Sequence, residues 1–76
     1  MARAYLKISV EMGKERAVRD ALLHFSEVKS ADITTGDQDI LVLVEADTYE
    51  DILLAIVDRL RALKGVKDTV TDLVLE

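Results

Sequence analysis

Two hydroxyls, a glycine, an amide and two carboxylates follow one another in Thr34-Thr35-Gly36-Asp37-Gln38-Asp39, a polar corner between the apolar runs that end at Ile33 and begin at Ile40. Such residues suit a plain turn, since Gly supplies positive φ and Asp bonds its own backbone. They equally suit a cradle for a small molecule. As a general acid and base pair, Asp37 and Asp39 would need environments that separate their pKa values, and carboxylates two apart in a turn are solvated alike. A calcium loop starting at Asp32 would need Gly at its sixth position and Glu at its twelfth, where this chain has Asp37 and Leu43.

Elsewhere the chemistry is sparse. There is no cysteine, the single histidine is His24 between Leu23 and Phe25, and no serine sits in a nucleophile elbow. The expectation is therefore a protein that is not an enzyme and has neither a metal centre nor a cofactor. Thr69 and Thr71 fall on one face of the last strand, where β propensity explains them and where a hydroxyl pair could also face a ligand.

The elements that position these residues follow from periodicity. Ala4, Leu6, Ile8 and Val10 alternate with Tyr5, Lys7 and Ser9, the period of a first strand. After Gly13, the residues Ala17, Val18, Ala21, Leu22 and Phe25 recur at helical spacing and predict a helix from about Lys14 to Phe25. Val28 to Thr35 reads as a second strand and Ile40 to Glu45 as a third. Asp47 or Thr48 can cap a second helix, with Glu50 and Asp51 in its first turn, Arg59, Arg61 and Lys64 near its end and Gly65 as its stop. Its apolar stripe is Ile52, Leu53, Ile56, Val57, Leu60 and Leu63, and a strand from about Lys67 to Leu75 closes the chain.

The order is βαββαβ, and its halves look like copies. Val10-Glu11 before the first helix parallels Val44-Glu45 before the second, and Val28-Lys29 parallels Val66-Lys67 after them. A duplicated βαβ predicts a ferredoxin-like α+β fold: a four-stranded antiparallel sheet with both helices on one face. Val42 and Val44 then point toward the helices, as Ile8 and Val10 do. Leu41 and Leu43 point away, and the uninterrupted apolar third strand predicts that this second face, Tyr5 included, is buried in a homodimer packed sheet to sheet.

Composition agrees. At 76 residues the chain is expected to be one domain over its whole length, and a domain of that size buries only roughly 60% of its unfolded surface, so oligomerisation is a natural support. Half of the residues are hydrophobic and 33% are charged, a globular balance. The net charge is −5, with one Phe, two Tyr and no Trp. That excludes the basic groove and stacking platform of a direct nucleic-acid binder. No apolar stretch approaches a membrane span and no signal peptide opens the chain, so a cytoplasmic protein is expected.

With the βαββαβ order, the corner Thr35-Gly36-Asp37-Gln38-Asp39-Ile40-Leu41 and the tail Gly65-Val66-Lys67-Asp68-Thr69-Val70-Thr71, the chain resembles the effector-sensing (RAM) domain of the Lrp/AsnC, or feast/famine, transcription regulators. The resemblance spans nearly the whole chain. It implies a dimeric α/β sandwich whose dimers associate into tetramers or octamers and hold amino acids at the boundaries between dimers. It also implies that Gly36, Asp37, Gln38 and Asp39 contribute to the effector pocket, with Thr69 and Thr71 as further candidates. A free amino acid offers a carboxylate for the N–H groups of a glycine turn and an ammonium for carbonyls or an Asp.

Two departures from the family pattern bear on function. Gln38 stands where the family commonly has an aromatic residue, usually Tyr, which changes pocket shape. The family's regulators also carry an N-terminal helix-turn-helix domain, whereas this chain begins at Met1, just before the first strand. It thus resembles the stand-alone sensing domain, expected to influence transcription or amino-acid metabolism through partners such as full-length regulators of its kind. The alternatives are a small dimeric α+β-barrel enzyme with polar residues in an internal cavity, a ligand-free oligomerisation module, and an ACT-type amino-acid-binding domain, which shares the order of elements.

Overall fold

Alternation in the first strand is complete: Ala2, Ala4, Leu6, Ile8 and Val10 are buried, and the residues between them are exposed or half-buried. A computed structural model describes residues 1–76, the side chain of Ala55 apart. The strand is β1 (Ala2–Val10), followed by α1 (Glu15–Leu22), β2 (Val28–Ile33) and β3 (Ile40–Ala46). The second helix comprises α2 (Tyr49–Asp51), a π turn (Ile52–Ile56) and α3 (Val57–Arg61), and β4 (Val66–Val74) ends the fold. The sheet order is β2-β3-β1-β4 with every neighbouring pair antiparallel, the ferredoxin-like arrangement expected of a duplicated βαβ.

The duplication is visible in the hydrogen bonds. Glu11 N–H donates to Gly65 O at 2.8 Å, and Glu45 N–H donates to Glu27 O at 2.9 Å, so each half closes onto the crossover of the other. Val10 lies opposite Val66 and Val28 opposite Val44, each beside a register shift. The symmetry breaks at Gly65. Its φ is +97°, and a Cβ there would stand 3.0 Å from Val18 Cγ2 and 3.3 Å from Lys14 Cβ, whereas Glu27 fills the equivalent position.

Both helices cover one face. Val18 and Leu22 from α1 join Ile52, Ile56, Val57 and Leu60 from the second helix over Leu6, Ile8, Ile40, Val42 and Val44 in one buried apolar cluster. Several element boundaries differ from expectation. β2 stops at Ile33, not Thr35, because Thr34 closes the corner with hydrogen bonds to Asp39 O and Gln38 O. α1 ends at Leu22, and the chain tightens through His24 N–H to Ala21 O and Phe25 N–H to Leu22 O, three-residue bonds typical of a helix end. Thr48, not Asp47, caps the second helix, accepting from Asp51 N–H at 3.0 Å.

The π turn corrects the expected apolar stripe. Val57 N–H bonds to Ile52 O, five residues back, so this turn is wider than an α turn. Ile52, Ile56, Val57 and Leu60 stay in the core, while Leu53 is 44% and Leu54 66% exposed. A uniform 3.6-residue period could not show that rotation.

Arg59 links the second helix to the segment after α1. Its guanidinium is 2.9 Å from Glu27 Oε1 and 5.1 Å from the centre of the Phe25 ring. Glu27's own backbone N–H, with Arg59 adding to it, holds its carboxyl below the ordinary Glu value of 4.5 against the opposing effect of desolvation. A depressed carboxylate pKa adds stability above the unfolded value that is lost as pH falls through the folded one. Arg59→Gln is therefore expected to cost about 1 kcal/mol at neutral pH, given the exposure of the pair. In thermal melts, the difference from the wild type should shrink as pH falls below about 4.5; a difference independent of pH would assign the whole effect to the Phe25 contact.

Candidate functional site

β2 and β3 pair from Val28 opposite Val44 to Ile33 opposite Ile40, which leaves residues 34–39 to connect them. Two bonds close this corner: Thr34 N–H donates to Asp39 O at 2.9 Å, and Thr34 Oγ1 donates to Gln38 O at 3.0 Å. Two more anchor it to β1, where Asp39 N–H donates to Ile8 O at 3.0 Å and Asp39 Oδ2 accepts from Val10 N–H at 2.8 Å. The consequence is a division of labour between the two carboxylates. Asp39 is half-buried and turned to β1; Asp37 is exposed, and its carboxylate makes no hydrogen bond among the described residues.

Gly36 behaves differently from the expectation of a positive-φ turn residue. The left-handed glycines are Gly13 and Gly65, and a Cβ built at Gly36 would meet nothing within 4 Å. Within one chain, neither backbone nor packing requires glycine there. Its lack of a side chain matters for whatever approaches from outside.

Gln38 is half-buried beside Asp39. Thr69 and Thr71 share a face as expected, and it is the helix-covered one, since they lie opposite Ile8 and Leu6. With β1 between β3 and β4, Thr69 stands two strand spacings, about 10 Å, from Ile40. One chain thus groups Gly36, Asp37, Gln38 and Asp39 and sets the threonine pair apart. His24 is an exposed residue after α1.

Across the sheet from the helices, Tyr5 pairs with Leu43, and Lys7 with Leu41 and Val70. Leu41 and Leu43 are half-buried, Tyr5 is 41% and Val70 48% exposed, and a Lys7 to Asp72 ion pair of 3.4 Å edges the patch. At the opposite end of the sheet from the corner, an open cleft of about 460 Å³ is lined by Glu27, Glu45, Asp47, Asp51 and Lys29, among others. Sequence reasoning did not single it out. Its signal, Glu45-Ala46-Asp47 at the end of β3, gains meaning only when β2 brings Glu27 and Lys29 alongside. Glu27 is committed to Arg59, and the described residues hold no cluster of three His, Cys, Asp or Glu placed to bind a metal. No described helix is long and apolar enough to cross a membrane.

The model of the Lrp/AsnC ligand binding domain matches residues 3–76. Among solved structures, the hypothetical protein PHS023 from Pyrococcus horikoshii is 33% identical, with a TM-score of 0.90 over 100% of this chain and 92% of that one. FFRP-DM1 is also 33% identical, with a TM-score of 0.91 over 99% of this chain and 100% of its own. The transcriptional regulator NMB0573 from Neisseria meningitidis, solved as a complex with L-Met, shares the fold at 21% identity and a TM-score of 0.70, over 99% of this chain and 50% of that one. No curated protein matches the chain.

Proposed function

Because the chain belongs to the Lrp/AsnC ligand-binding domain family, we propose that it is a non-enzymatic regulatory protein that binds a free amino acid at the β2–β3 corner. The observation that carries this reading is the corner itself: an exposed Asp37 beside an unhindered Gly36, on a loop tied to the sheet through Asp39. Asp37 suits the ammonium of an amino acid and the backbone at Gly36 suits its carboxylate. The complex of the fold relative NMB0573 with L-Met supports an amino acid as the ligand class. The inward layer Leu6, Ile8, Val10, Val42 and Val44 is apolar and buried, which weighs against a catalytic cavity between sheet and helices.

In this reading the outer sheet face, with Tyr5, Leu41 and Leu43, forms a homodimer. Dimers meet around the corner to build tetramers or octamers, where Thr69 and Thr71 of a neighbouring subunit can complete the pocket. A ligand held between dimers shifts assembly by no more than its differential affinity for the two states. The output passes to protein partners in the cytoplasm, full-length Lrp/AsnC regulators among them, and not to nucleic acid directly.

A panel of the twenty standard L-amino acids, read by thermal melting and light scattering, tests the proposal. At 100 times its dissociation constant a bound amino acid is expected to add about 2.7 kcal/mol of stability. If none changes either the melting temperature or the particle size, a ligand-free oligomerisation module is the better description.

A further inference from the structure

We propose that Asp39 is a positioning residue of the effector corner, holding the loop by its bond to β1, and that Asp37 is the carboxylate that meets the effector's ammonium. The inference rests on the effector-binding reading of the corner and adds to it a defined role for the Asp39 carboxylate.

The argument starts from the ladder. β1 and β3 pair in register from Ala2 opposite Ala46 to Ile8 opposite Ile40, and continuing that register would set Val10 opposite position 38. The strands part before that point. Gln38 O is instead taken by Thr34 Oγ1 at 3.0 Å, inside the corner, and Val10 N–H is met by Asp39 Oδ2 at 2.8 Å. A side-chain carboxylate stands in for a ladder carbonyl. The same residue's N–H donates to Ile8 O, so Asp39 grips β1 at two points from one position.

Val10 is also where the β1–β4 register shifts, and its neighbour Glu11 donates to Gly65 O at 2.8 Å. The corner, the end of β1 and the loop before β4 therefore meet within two residues. Lengthening the Asp39 bond would free the corner to move relative to this junction, and with it Gly36 and Asp37. Asp37 has no such tie among the described residues and remains open to solvent.

Acceptance from Val10 N–H needs an oxygen but no charge, since an amide oxygen also accepts. Contact with an ammonium gains from the charge itself. That difference separates the roles. Asp39→Asn should bind amino acids within about threefold of the wild type, while Asp39→Ala and Asp37→Asn should each weaken binding by about tenfold or more, a loss of 1.4 kcal/mol per tenfold. Equal losses in Asp39→Asn and Asp39→Ala would overturn the proposal, as would unchanged binding in both. If Asp39→Ala does not fold, Asp39→Asn decides alone: retained affinity supports positioning and lost affinity overturns it.

Hydrogen exchange at the Val10 amide, measured without ligand, keeps this test separate from the binding reading itself. Protection should fall in Asp39→Ala and persist in Asp39→Asn even if no amino acid of the panel binds the wild type, in which case only the effector assignment fails. Unchanged exchange in Asp39→Ala would overturn the positioning role.

Discussion

Gly65→Ala is expected to cost about 2–5 kcal/mol of stability, close to the limit that a protein of this size tolerates. Two penalties add. At φ +97° an L side chain is strained, worth roughly 1–2 kcal/mol. The new methyl would also stand 3.0 Å from Val18 Cγ2 and 3.3 Å from Lys14 Cβ, and overpacking of this kind typically costs about 1–3 kcal/mol. Val18 is buried and cannot move away without disturbing the core. For a chain of this length the loss corresponds to a melting temperature lower by roughly 10–30 °C. Gly13→Ala is the control, because Gly13 has φ +84° but nothing within 4 Å of its built Cβ. It should cost only the conformational part, about 1–2 kcal/mol. Equal costs at the two sites would mean that the contact with Val18 and Lys14 carries no weight.

Leu43→Arg should dissociate the proposed dimer. Leu43 lies opposite Tyr5 on the sheet face away from the helices, half-buried within its own chain. An arginine there would be buried without a partner on dimerisation, a penalty of about 3–5 kcal/mol for an uncompensated charge. The dissociation constant should therefore rise by roughly 100-fold or more, visible as a monomer in sedimentation or light scattering at micromolar concentration. Because binding a second copy also stabilises the fold, the variant should melt earlier and its melting temperature should lose its concentration dependence. Leu54→Arg provides the contrast. Leu54 is 66% exposed on the helical side, at the π turn. If Leu54→Arg breaks the assembly and Leu43→Arg does not, the subunits meet through helices and the sheet-to-sheet arrangement is wrong.

The corner shows where sequence reading stops. Its position between β2 and β3 was legible because two apolar runs flank it and strand periodicity is local. The unequal fates of Asp37 and Asp39 were not, because the partner of Asp39 is Val10, 29 residues earlier. Gly36 is a second case. A glycine in a polar turn offers a left-handed φ as one possibility, yet the left-handed glycines are Gly13 and Gly65, where the chain enters α1 and leaves the second helix. The period of two places Thr69 and Thr71 on a common face, but which face it is and their separation from the corner depend on β1 lying between β3 and β4.

By itself the sequence determined the order of elements, the duplication and the residues that β1 and β3 bury, since alternation and helical spacing are properties of neighbouring residues and solvent acts on them directly. Tertiary structure decided the rest: the π turn at which Leu53 is exposed, the close approach of Val18 that would crowd any side chain at Gly65, and the bond that ties Asp39 to β1 while the Asp37 carboxylate makes none among the described residues. Each of these depends on atoms brought together by cross-strand register or helix packing. No local pattern of residue types encodes such a distance.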